Sequence, residues 1–398
     1  GANTLTLRGG GVLSNTNAIV LNNADSLLSL EDSLTVGSAS VTTASNADKG
    51  LAVNASGTFT SLVVSADTEL NIADGITLSG AAEIEEGATL TLTSTGTLGS
   101  TLNLKGALEV EANQTFSGLV SVGSDSSISI PAAETTLTYT GGELNLGDNT
   151  LSISGAGTFN NGADSALVLD EEDSVLDLSG TGTVAGPVRL EGCILKVSAG
   201  SPTISGTLTQ YDDATFDVAD GQTLNYTGPS LNLGAYTLTL KGGGTFNNTN
   251  SLVLNNADSL LLLSGILSVV DVDGTTSSNT GKGIQVTSSA SMGDYSLSAV
   301  NYLNISDGQT LDGQLNLQNG GELFTSGNGQ FNADIALAGG NFKATDNQVL
   351  GGTLTITADS EITVSQGYTL ELSQAGGLAL GANTLTLSGG GSFASGDI

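Results

Sequence analysis

The sequence predicts an all-β fold: a parallel β-solenoid of the right-handed β-helix type, with roughly 18–19 coils of about 21 residues. Three observations predict it. Long stretches recur without gaps, one repeat is shortened by whole coils, and short apolar-x-apolar runs alternate with turns rich in Gly, Asn and Asp.

The repeats order the chain. Gly1-Ala2-Asn3-Thr4-Leu5-Thr6-Leu7 returns as Gly234-Ala235-Tyr236-Thr237-Leu238-Thr239-Leu240, and Ala24-Asp25-Ser26-Leu27-Leu28 returns as Ala257-Asp258-Ser259-Leu260-Leu261. The same offset holds at Lys49-Gly50 against Lys282-Gly283 and at Leu70-Asn71-Ile72 against Leu303-Asn304-Ile305. The opening motif also starts at Gly147 and Gly381. These starts divide the chain into units 1–146, 147–233 and 234–380 and a partial unit 381–398.

The second unit is shorter than its neighbours by roughly three coils of about 20 residues. Both its ends nevertheless match the long units: Val218-Ala219-Asp220-Gly221 parallels Ile72-Ala73-Asp74-Gly75, and Leu224-Asn225-Tyr226-Thr227-Gly228 parallels Leu137-Thr138-Tyr139-Thr140-Gly141. A globular domain cannot lose that much of its interior, because every layer packs on every other. A solenoid can, because each coil touches only its neighbours. The chain 1–398 therefore reads as one continuous solenoid, about 90 Å long at a strand spacing of about 4.8 Å. One extra residue in the second unit is expected as a bulge near Gly162-Ala163-Asp164.

Each coil follows one pattern: an apolar residue, a polar turn, Thr or Ser, then apolar-x-apolar, as in Leu62 to Ile72, Leu231 to Leu240 and Leu354 to Val364. Alternation over short runs bounded by turn residues denotes half-buried strands. Leu, Ile and Val point inward, with Phe59, Phe159, Phe246 and Phe393 at corners; Thr, Ser and Asn point outward. Four prolines leave the strands unbroken, while 56 glycines supply turns. Right-handed crossovers dominate parallel connections, which sets the expected hand. An immunoglobulin-like array would carry a larger aromatic core and a constant domain length. A disordered chain would lack the regular alternation of its apolar residues.

Forty acidic residues against eight basic ones give a formal charge of −32. That excludes partners needing basic patches, nucleic acid and anionic membranes. No stretch is suited to membrane insertion. Spread carboxylates keep a long repeat protein soluble; a sharper use is calcium binding, for which Asp271 and Asp273 in Asp271-Val272-Asp273-Gly274 are the candidates. The full calcium-loop pattern is absent, so no cofactor is otherwise expected. Cys193 is the single cysteine and reads as a small core residue. The chain opens at Gly1 without Met and stops inside a fourth repeat, which reads as a window of a longer or processed protein.

No histidine is present, which removes His-based triads and most zinc sites. Paired carboxylates could still hydrolyse a glycosidic bond. Asp212-Asp213 is the only Asp-Asp step, and Arg189 and Lys196 are its nearest cations in sequence; a turn before Ala214-Thr215-Phe216 accounts for it. Glu85-Glu86 and Glu171-Glu172 also fall at turns. Thr89, Thr91 and Thr93 suggest an ice-binding lattice, but equivalent positions vary, as at Ser129, Ser152 and Asn225. No catalytic residue is assigned, and the chain is not expected to be an enzyme.

The segment Gly381-Ala382-Asn383-Thr384-Leu385-Thr386-Leu387-Ser388-Gly389-Gly390-Gly391-Ser392-Phe393 resembles the repeats of bacterial autotransporter-type passengers and giant surface adhesins. The resemblance implies an extracellular, surface-displayed β-solenoid acting as stalk, filament or adhesin, and it transfers no functional residue. The leading expectation is thus a structural stalk or filament. Rivals are a carbohydrate-binding or polysaccharide-cleaving β-helix, with surface glycans as partners and Tyr211, Tyr226, Tyr236 and Tyr302 as candidate contacts, and a subunit that stacks end to end on copies of itself.

Overall fold

A computed structural model describes residues 2–265, 268–373, 378 and 380–395. Every regular element among them is a β-strand. All inter-strand ladders are parallel, and coils about 21 residues apart stack into a β-solenoid of about 18 turns. The chain divides into two compact units, Gly1–Thr207 and Leu208–Ile398.

In the first unit, one sheet face is built from Thr4–Leu7, Leu27–Leu30, Gly50–Val53, Thr68–Ile72, Thr89–Leu92 and five further strands, ending at Cys193–Gly200. In the second, the matching face runs from Ala214–Val218 through Thr237–Gly242 to Leu385–Gly389. The remaining strands form the other sides of each coil. Coil length varies, from Thr89 paired with Ala107 to Ser126 paired with Leu151. Because each strand contacts only the rungs above and below it, turns can lengthen without disturbing the stack.

The repeats are structural equivalents. Thr4↔Leu27, Leu27↔Gly50 and Leu51↔Leu70 in the first unit reappear as Thr237↔Leu260, Leu260↔Gly283 and Ile284↔Leu303 in the second. Even an irregularity is copied: the register shift between Phe59 and Leu62 recurs between Met292 and Tyr295. On this face each long repeat holds seven strands, whereas residues 147–233 hold four, at Thr150, Val175, Cys193 and Ala214. The missing block is therefore three coils.

The expected bulge takes another form. Near Gly162 the extra chain makes a turn between the strands Thr158–Asn161 and Leu167–Leu169, closed by Ser165 N–H donating to the Gly162 carbonyl at 2.9 Å. An interruption between strands costs no ladder hydrogen bond, whereas a bulge inside one does. The register shift in this stretch lies instead at Leu178/Ser179.

Inward positions carry the core, and Leu30, Val53, Ile72, Leu92, Leu176, Phe216, Leu240 and Ile305 are completely buried. Phe59, Phe159 and Phe246 are core residues as their spacing predicts, and Phe393 is half-buried. At one corner Phe246 packs edge-on to Phe216 and stacks near Tyr226. Glycine is obligatory where the backbone leaves a strand over the coil below. Gly180 has φ +87°, and a Cβ there would lie 2.3 Å from the Gly155 carbonyl oxygen.

Candidate functional site

Most carboxylates near strand starts have a structural task. At several rungs an Asp or Asn side chain at or just before a strand accepts the backbone N–H of a Thr at the start of the strand one coil later. Asp67 holds Thr89, Asp125 holds Thr150, Asp213 holds Thr237, Asp334 holds Thr353 and Asp359 holds Thr384, at 2.7–2.9 Å. Asn113 and Asn347 hold Thr136 and Thr369 in the same way. This clamp accounts for the Asp or Asn one coil before Thr89, Thr136, Thr150, Thr237, Thr353, Thr369 and Thr384. It also places Asp212-Asp213: Asp212 accepts the N–H of Asp213 at 2.7 Å, and Asp213 is spent on Thr237.

A second device lies inside the coil. The buried Asn248 donates to the carbonyls of Asn250 and Asp271 and accepts the N–H groups of Val270 and Asp271. Its counterpart Asn15 does the same for Asn17 and Ser38. Sequence reading missed both devices. The signal of the clamp is an Asp or Asn about one coil before a Thr, and that of the second device is the Asn shared by Asn15 and Asn248 in the repeat.

The glutamate pairs sit at turns, where the Ala88 and Ser174 N–H groups donate to the Glu85 and Glu171 carbonyls. Thr89 and Thr91 stack against Ala107 and Glu109, so no threonine lattice forms there. Cys193 is a core residue, and burial pushes its thiol up to about 12, which keeps it protonated and inert.

The calcium candidates lie together on the strand Ser268–Gly274. Asp271 accepts a hydrogen bond from Ser251 Oγ at 2.9 Å and is the register partner of Asp294, while Asp273 pairs with Ser296. Partial burial, together with the like charges of Asp271 and Asp273, raises the Asp294 carboxyl above its ordinary range. Among the described residues no group of three or more His, Cys, Asp or Glu is arranged to hold a metal ion.

Of the four tyrosines proposed as exposed contacts, Tyr226 is corrected: it is fully buried, because its strand turns alternate residues inward and its hydroxyl accepts the Leu208 N–H at 3.3 Å. Tyr139 does the same for Val120. Tyr211 is exposed. Tyr302 stacks on Phe324 at 4.9 Å between ring centroids, and Lys343 lies over the other ring while pairing with Glu322. These outward rings cover each other's faces.

Two surface grooves stand out. One, of about 450 Å³, crosses the first unit beside Gly106, Asp125 and Thr150. The other, of about 570 Å³, crosses the second beside Gly340, Asp359 and Thr384. Neither contains any of the tyrosines.

Fold and surface together define a β-solenoid repeat protein. Comparison with known proteins finds no matching family model, curated protein or solved structure. No helix among the described residues is long and apolar enough to cross a membrane.

Proposed function

We propose that this chain is a structural extracellular repeat protein forming the stalk or filament of a surface adhesin or appendage. The observation that carries this reading is modularity by whole coils: long repeats of seven rungs flank one of four, with register and irregularities preserved. Spacers tolerate such changes in length, because function then depends on reach and solubility. An excess of 32 negative charges suits a repeat protein that must stay dispersed. Aspartates such as Asp67, Asp213 and Asp359 hold neighbouring coils together, which suits a structural role.

Labelling intact cells of the source with antibodies against this chain, before and after protease shaving, tests the reading. Signal on the surface that shaving removes is the expected result; signal only after lysis would overturn it. Assays on acidic and neutral polysaccharides should show no turnover. Turnover lost in Asp212→Asn or Asp213→Asn would replace the stalk by a polysaccharide-cleaving β-helix.

A further inference from the structure

We propose that each compact unit carries, on its outer face, a binding groove for an uncharged oligosaccharide. The inference needs nothing from the stalk reading. The two grooves share their backbone construction and one set of wall residues, while their floors carry different side chains. Gly106, Asp125, Ser126 and Thr150 line the first, and Gly340, Asp359, Ser360 and Thr384 line the second at equivalent positions, where each long repeat passes into the unit that follows it. The walls are fixed identically. Asp125 and Asp359 accept the N–H of Thr150 and Thr384 at 2.8 and 2.7 Å, and Asn149 and Asn383 donate to the carbonyls of Val122 and Ile356.

The floor of each groove is a row of register partners across four successive coils. In the first unit it is Thr89, Ala107, Ser127 and Ser152; in the second it is Glu322, Asn341, Glu361 and Thr386. An extended ligand lying along the stack therefore meets a new side chain about every 4.8 Å. Gly106 lets the coils approach closely beside the groove, since a Cβ there would lie 2.4 Å from the Ala88 and Glu85 carbonyl oxygens. Both volumes fall in the range of small-ligand sites.

Chemistry selects the ligand class. The linings offer hydroxyls, amides, carboxylates and the Lys105 ammonium, which is already paired with Glu83, and no large apolar side chain, which disfavours an apolar peptide. Asp125 in one groove and Glu361 and Asp359 in the other repel anionic sugars and nucleic acid. These carboxylates are already engaged: Glu361 accepts the Ser388 hydroxyl at 2.5 Å and Glu322 pairs with Lys343. They stand as fixed acceptors without demanding a further cation. Fixed acceptors beside free-turning hydroxyls, on a rung spacing that suits an extended chain, match neutral sugar hydroxyls.

Isothermal titration of the whole chain with cello-, malto-, xylo- and laminari-oligosaccharides tests this. At least one should bind saturably at two sites per chain. Ser127→Tyr and Asn341→Tyr, each projecting a ring into one floor, should each remove one site, and together weaken binding by about tenfold or more with the thermal midpoint unchanged. Should either variant misfold, Ser152→Tyr and Thr386→Tyr fill the same floors. No binding by any of the four sugars, or binding that survives the double variant, overturns the proposal. So does displacement of the sugar from both grooves by oligolysine at equal concentration, which would make them sites for basic peptide.

Discussion

At the residue scale, the buried tyrosines divide by what their hydroxyls reach. Those of Tyr139 and Tyr226 accept a backbone N–H, whereas the completely buried Tyr295 hydroxyl has no partner. Removing a satisfied partner strands a buried N–H, and removing an orphan relieves its desolvation. Tyr226→Phe should therefore cost about 1–2 kcal/mol in urea unfolding, while Tyr295→Phe should be neutral or stabilising. A loss in Tyr295→Phe equal to that in Tyr226→Phe would contradict the division. Asp294 provides a pH test. Its raised carboxyl makes the native state hold more protons than the unfolded chain between the ordinary and the raised value, so stability falls as pH rises through that window. Asp294→Asn should melt higher than the parent at neutral pH, and the advantage should vanish at pH below the ordinary aspartate value. Alternation revealed the inward Leu, Ile and Val positions, whereas Tyr226, expected as an exposed contact, lies in the core. Alternation could not reveal which hydroxyl finds a partner, because the partners of Tyr139 and Tyr226 lie on neighbouring coils.

At the scale of the element, two features set each rung. The clamp needs an acceptor oxygen and no charge, as Asn113 and Asn347 show by doing the work of aspartate. Asp213→Asn should accordingly leave stability unchanged, whereas Asp213→Ala should cost about 1 kcal/mol by freeing the Thr237 N–H. Equal losses in the two variants would show that charge, rather than the acceptor, matters. The glycine stack is stricter. Gly155, Gly180 and Gly200 follow one another up the coils, each with positive φ and each with the carbonyl oxygen of the coil below where a Cβ would stand. Gly180→Ala combines a disfavoured φ with a clash and should lower stability by about 3 kcal/mol, read as a drop in thermal midpoint. Strands and turns were legible because apolar-x-apolar runs, many opened by Thr, recur from coil to coil. The clamp was written in the same letters but spread over about 23 residues, a separation at which no local pattern operates.

Across the whole molecule, charge and pairing are unevenly matched. Five of the eight basic residues lie in ion pairs, and Lys105, Lys196, Lys241 and Lys343 each meet an acid from the preceding coil. The many remaining carboxylates repel one another, and salt screens exposed charges beyond about 10 Å at 0.1 M. The thermal midpoint should therefore rise with sodium chloride, and self-association, followed by sedimentation, should increase along the same series. A midpoint independent of salt would mean that the clamps already absorb the repulsion. The loss of three coils could be deduced from the spacing of Gly147 and Gly234 alone, since only a stack of nearest neighbours survives such a loss. The grooves could not: their floors join residues of four coils, and no single coil displays them.

The copied register irregularity at Phe59/Leu62 and Met292/Tyr295 has a consequence for the gene. Two stretches that encode the same rungs in the same phase can misalign at replication or recombination, and an exchange between them removes or adds an integral number of coils in frame. The clamps that both copies share, Asn113–Thr136 with Asn347–Thr369 and Asp125–Thr150 with Asp359–Thr384, would still find their threonine one coil later after such an exchange. Alleles of this locus should thus differ in length by blocks rather than by single residues, and long-read sequencing across related isolates would show a ladder of discrete sizes.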